Sequence, residues 1–232
     1  SMMNSFFFED TTFGVNNLPD LNIRAEDEKI FALAKKEFGI PKFLEKYPTY
    51  DGRGIIAGVI DDGVSPHHSG FQRTTTGERK YIEHFSNSTE YTFDLVDNAE
   101  DTVDFEGASI TPKHIVIFDE TKFGSDYNGD GEKTELKFII YSNENGDFLC
   151  LDQDRNNQYA KSDCQRDFKL TGDYGYWVPK KSIPMMAKID LENKKLTISE
   201  GEWKHDSHGE GVASVFVGHN LFGKYDGVAP GA

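Results

Sequence analysis

Apolar residues occur along the chain in short runs of two kinds. Gly54-Ile55-Ile56-Ala57-Gly58-Val59-Ile60 is a β-branched stretch without alternation that closes on Asp61, the pattern of a central parallel strand covered on both faces. Residues 81–85, 114–118, 135–141, 147–152, 185–189 and 196–198 read as further strands, most of them set apart by Gly, Asn and Asp turns. Helical spacing is found over residues 26–38, where Ile30, Phe31, Leu33, Ala34 and Phe38 recur before Gly39, and in a short turn after Pro41 that carries Phe43 and Leu44. Residues 208–217 place Val212, Val215 and Phe216 beside small Ala213 and Ser214, which predicts a buried helix opened by His208. The pattern divides the chain into an arm and helix (1–40), the first part of a core (41–75), a β-rich segment (76–200) and a return to the core (201–232).

Composition narrows the classes of function. The 232 residues are 37% hydrophobic, enough for a substantial core, and no apolar run approaches the roughly 20 residues of a bilayer-spanning helix. With 25 basic and 40 acidic residues the net charge is −15, and no basic cluster offsets it, so nucleic-acid binding is disfavoured. Cys150 and Cys164 are too few for a zinc site or a disulfide framework; they are expected as small apolar residues, with a single bridge left open. Phe6-Phe7-Phe8 runs at once into Glu9 and Asp10, which is not a signal-peptide pattern, and the expectation is a cytoplasmic protein.

Chemistry concentrates in three blocks. Val59-Ile60-Asp61-Asp62-Gly63-Val64 delivers a carboxylate at a strand end, Asp206-Ser207-His208-Gly209-Glu210-Gly211-Val212-Ala213-Ser214 opens a helix with an imidazole, and Gly227-Val228-Ala229-Pro230-Gly231-Ala232 follows. In this order they resemble the subtilisin-like serine peptidases, in which the chain order of the triad is Asp, His, Ser. Phe43-Leu44-Glu45-Lys46-Tyr47-Pro48-Thr49-Tyr50-Asp51-Gly52-Arg53-Gly54 and the long interval between Asp61 and His208 narrow the resemblance to the large, tripeptidyl-peptidase II-like members. The resemblance implies an α/β fold: a mostly parallel sheet with flanking helices, incomplete here, interrupted by a β-rich insertion between the triad Asp and His. It also implies Asp61 and His208 as catalytic residues, peptide or protein as substrate, and no required cofactor.

A serine hydroxyl is a weak nucleophile until an imidazole accepts its proton, and that imidazole needs an anion behind it to fix its tautomer. The family's Gly-Thr-Ser nucleophile pattern does not occur in these residues. The serine and the oxyanion-hole asparagine are therefore expected beyond residue 232, with the rest of the peptidase domain as partner and the chain alone inactive. Asp62 stands where the family has Ser or Thr, and Glu210-Gly211 replaces Thr-His; extra carboxylate near the imidazole is expected to favour its charged form.

A weaker signal is Asp126-Tyr127-Asn128-Gly129-Asp130-Gly131-Glu132, the front half of an EF-hand-type loop, with Asp126, Asn128, Asp130 and Glu132 as candidate calcium ligands. Lys137 stands where the bidentate Glu belongs, and hairpin turns explain the same residues. Two other readings stay open: an inactive binding or assembly module of the same fold, and a calcium-stabilised structural domain. Homo-oligomerisation is also left open.

Overall fold

Strands build most of the regular structure among the described residues. The computed structural model describes residues 35–86, 90–98, 100–177, 183–201, 208–221 and 223–232, which divide into two compact units, one spanning 87–200 and the other 35–86 with 201–232. The expected helix over 26–38 lies largely outside the described residues, as does the arm over 1–24.

The first unit is mixed in structure but mainly strand. Its strands are β1 (Glu90–Asp94), β2 (Val96–Asp97), β3 (Val103–Phe105), β4 (Ala108–Ile110), β5 (His114–Asp119), β6 (Glu135–Asn143), β7 (Gly146–Asp152), β8 (Gln158–Tyr159), β9 (Cys164–Arg166), β10 (Gly175–Tyr176), β11 (Pro184–Asp190) and β12 (Lys195–Glu200). They form three sheets, ordered β1-β12-β11-β10, β2-β5-β6-β7-β9 and β4-β3-β8. Pairing is antiparallel except between β3 and β8. The five-stranded sheet is apolar on both faces. Phe118, Leu136, Phe138, Ile140, Leu149 and Leu151 share one cluster with Met185, Ala187, Leu196, Ile198 and Trp177, while Ile139, Phe148 and Cys150 share another with Val103, Tyr159 and Cys164. Phe138-Ile139-Ile140 is continuous in sequence because alternate side chains enter different cores.

Cys150 and Cys164 stand directly opposite each other on β7 and β9 and are joined by a disulfide, the single bridge that the sequence left open. Both are buried, so the expectation of burial held; the covalent link follows from a strand register that the sequence does not reveal.

In the second unit, α1 (Ile40–Lys46) precedes the β-branched run, and α2 (His208–Val217) follows the β-rich segment. Residues 55–60 belong to no helix or sheet among the described residues, and Ile55, Ile56 and Ile60 are 65%, 81% and 102% exposed. The expected central strand, covered on both faces and lying in a mostly parallel sheet, is therefore not formed among the described residues. A run of strand-forming residues becomes sheet only beside a neighbouring strand, and none lies here. Residues 76–86, assigned from the sequence to the β-rich segment, belong to this unit: Arg73 bridges to Arg79, the Tyr81 amide donates to the Phe71 carbonyl, and the Tyr81 hydroxyl reaches the Val64 carbonyl at 3.3 Å.

The Gly-Val-Ala-Pro block closes α2. Val228 and Ala229 donate their amides to the Val215 and Phe216 carbonyls at 2.9 and 2.8 Å, filling acceptors that a helix end leaves open. Gly227 permits this approach, since a Cβ there would fall 2.8 Å from the carbonyl oxygens of Ser214 and Phe216.

Candidate active site

The Asp61 side chain and the His208 imidazole, 147 residues apart in sequence, meet in the second unit. His208 Nδ1 lies 2.8 and 2.9 Å from the two carboxylate oxygens of Asp61. Asp61 sits at the end of the β-branched run, where the Asp62 amide donates to Oδ1 at 2.9 Å and Gly63, at φ +127°, turns the chain away. The imidazole opens α2. Its side chain is 77% exposed against 18% for Asp61, so the ring is held on one edge and open on the other.

Each partner biases the other toward the ion pair. Hydrogen bonding from His208 holds the Asp61 carboxyl below its ordinary range, helped by the Asp62 amide. The same hydrogen bond and the Asp61 charge raise the imidazole above its ordinary value, with a further contribution from the charge of Asp62. With Nδ1 donating to Asp61, Nε2 is left as the basic nitrogen of the neutral ring.

Two flanking carboxylates join the loop to the helix. Asp62 Oδ1 accepts from the Gly209 amide at 2.7 Å and Oδ2 from the His208 amide at 3.3 Å. Glu210, buried in the first turn of α2, accepts from the Ser65 amide at 3.1 Å and helps raise the Tyr81 phenol, which burial raises most. Sequence reading saw both residues only as departures from a pattern. The extra charge acting on the imidazole is that of Asp62. Gly209 lets the loop approach: a Cβ there would lie 2.3 Å from the Gly63 carbonyl oxygen.

The candidate calcium residues lie in the other unit and are engaged among themselves. Asp126 accepts from the Gly129 and Gly131 amides, and Asp130 from the Glu132 amide and the Asn128 side chain. Arg155 pairs with Asp130 at 2.5 Å and approaches Glu132 at 3.6 Å. Among the described residues no group of three or more acidic, imidazole or thiol side chains converges to hold a metal. Calcium takes six to eight oxygens, and an ion here would compete with the Arg155 guanidinium for Asp130. His67 and His68 are buried loop histidines: Ser65 Oγ lies 2.9 Å from His67 Nδ1, and His68 Nδ1 accepts from the Gly70 amide.

No protein-family model matches the chain. Curated relatives include tripeptidyl-peptidase 2 of Oryza sativa subsp. japonica, 36% identical over 87 residues (37% of this chain, 6% of that protein). The protein of the same name from Caenorhabditis elegans is 56% identical over 41 residues (18% and 3%), and that from Drosophila melanogaster 40% over 52 (22% and 4%). The chain thus spans 3–6% of the length of these relatives. A crystal structure of tripeptidyl peptidase 2 superposes with a TM-score of 0.57 at 17% identity, covering 82% of this chain and 20% of that one. In sequence and in fold, this chain is similar to tripeptidyl-peptidase 2 and resembles a fragment of that group of subtilisin-like serine peptidases.

Proposed function

We propose that this chain carries the acid–base half of a serine-peptidase centre, Asp61 and His208, and that the nucleophilic serine and the oxyanion donors come from sequence outside it. The contact between His208 Nδ1 and both Asp61 oxygens, made across 147 residues of sequence, carries the reading. In the reaction, Nε2 takes the proton of the serine hydroxyl as its oxygen adds to the scissile carbonyl, while Asp61 stabilises the imidazolium. Collapse of the tetrahedral adduct returns that proton to the leaving amine and yields an acyl-enzyme, which water cleaves by the same relay. The exposed edge of the imidazole leaves room for that hydroxyl. The uncovered apolar side chains of Ile55, Ile56 and Ile60 favour neighbouring strands supplied by the remainder of the domain.

By the name of its relatives, the whole protein would release tripeptides from peptide substrates. No helix among the described residues is long and apolar enough to cross a membrane. The test is a polypeptide extended through a serine motif and assayed for peptide hydrolysis. Asp61→Asn should lower its kcat/KM by about 10⁴-fold, the size of the loss when a triad imidazole takes the wrong tautomer. The present chain should take no fluorophosphonate label; stoichiometric labelling of it, or an active Asp61→Asn enzyme, overturns the proposal.

A further inference from the structure

The residue after Asp61 does something a Ser or Thr in its place could not. A carboxylate offers two acceptor oxygens, and Asp62 uses them on the two amides that open α2: Oδ1 on Gly209 at 2.7 Å and Oδ2 on His208 at 3.3 Å. These amides belong to the electropositive end of a ten-residue helix. The imidazole of His208 is carried by the first residue of that helix. A histidine so placed is pushed toward its neutral form and made a poorer base, unless a negative charge offsets the helix end. Asp62 supplies that charge at hydrogen-bonding distance. Three residues further along the same loop, the amide of Ser65 is tied to Glu210 of the same helical turn. The loop that follows the acid is therefore bound to the helix that carries the imidazole at two points, Asp62 and Ser65.

We propose that Asp62 is a positioning residue, which caps α2 from the neighbouring loop and thereby holds the His208 imidazole on Asp61. This rests on the acid–base reading of that pair. Without Asp62 the first two amides of the helix lose their shared acceptor, and the His208 ring is held by Asp61 alone while the Glu210–Ser65 tie remains. The charged groups acting on the ring are Asp61 and Asp62, and Glu210 lies in the same turn, bound to Ser65.

The test uses the 232-residue chain and long-range ¹H–¹⁵N correlation of the His208 ring, which reads tautomer and titration directly. In the parent the pattern should be that of the Nδ1-protonated tautomer with a raised midpoint. Asp62→Ala should give a mixed tautomer and a lower midpoint. Asp62→Asn, which keeps an acceptor for the Gly209 amide but not the charge, should restore the tautomer while the midpoint stays low. If Asp62→Ala unfolds the second unit, Asp62→Asn decides alone: an unmoved midpoint refutes the charge role, and a mixed tautomer refutes the capping role. Asp61→Asn separates the two readings. If it leaves the ring spectrum unchanged, the Asp–His pair itself is wrong; if it changes the spectrum and Asp62→Ala does not, only the positioning role falls.

Discussion

Two glycines in the first turns of α2 should answer the same substitution with opposite signs. In an open helix, alanine is favoured over glycine by about 1 kcal/mol. Gly211 is exposed, and a Cβ built there has nothing within 4 Å, so Gly211→Ala should stabilise the helix by roughly that amount. At Gly209 a Cβ would meet the Gly63 carbonyl oxygen at 2.3 Å, Asp62 Oδ1 at 2.8 Å and the Gly63 amide nitrogen at 3.1 Å. Even a favourable carbon–oxygen contact stays at about 3.3 Å or more, so loop and helix must part by about 1 Å. That carries the 2.7 Å bond from the Gly209 amide to Asp62 beyond hydrogen-bonding range. Losing a hydrogen bond to a charged group costs about 1.5–3 kcal/mol, against which the propensity gain of about 1 kcal/mol stands. Gly209→Ala should therefore be destabilising by about 0.5–2 kcal/mol, and the two variants should differ by about 1.5–3 kcal/mol. Because the chain holds two units, a global midpoint would mix them. Amide hydrogen exchange within α2 reads the effect locally, as roughly 10- to 150-fold between the variants. A Gly209→Ala chain whose α2 amides are as protected as the parent's would refute the close approach of loop and helix.

Two further expectations concern the β-rich unit. The Cys150–Cys164 bridge closes a loop across a sequence separation of 14, for which chain entropy predicts about 3 kcal/mol. Cys150→Ala/Cys164→Ala should lower the urea stability of this unit by that order, and the denatured parent should show no free thiol; an unchanged midpoint contradicts the expectation. Burial pushes the Glu200 carboxyl from 4.5 up to about 7, so the native state keeps a proton that the unfolded chain has lost. Stability should fall as pH rises from about 4.5 to about 7, by about 2 kcal/mol after allowance for screening by water. Glu200→Gln should flatten that slope in denaturation curves taken across the window, and an unaltered slope would rule Glu200 out as its source.

The parts of the fold legible in the sequence are those whose pattern depends on their own side chains. Phe138-Ile139-Ile140 and Phe148-Leu149-Cys150-Leu151 announce strands because both faces of β6 and β7 are buried. The helix expected over 208–217 forms, but not as a buried one: Val212, Val215 and Phe216 are exposed among the described residues, and Gly209, Glu210 and Ala213 are its buried positions. By contrast, β8 and β10 are two residues each and carry no pattern; they are strands because their neighbours pair with them. In β1 the core-facing Tyr91 and Phe93 alternate with Glu90, Thr92 and Asp94, a signal diluted by charge at both ends. The run at 55–60 misled in the opposite direction. Its side chains state that cover is needed but not which chain segment provides it, and no covering strand lies among the described residues.

At the candidate site the limit is of another kind. Asp61 and His208 were legible because each carries its chemistry in its residue type and its surroundings in a short motif. Asp62 and Glu210 were visible only as substitutions, since their roles depend on which oxygen meets which amide across 145 to 147 residues of sequence. One signal was nevertheless present: an acid placed between Asp61 and a glycine held at φ +127°, facing a helix start where glycine again follows the imidazole. The two missing side chains leave the space in which a carboxylate can reach a helix end. In this chain the second acid and the two glycines act together: Asp62 reaches the His208 and Gly209 amides because neither Gly63 nor Gly209 carries a side chain at the contact.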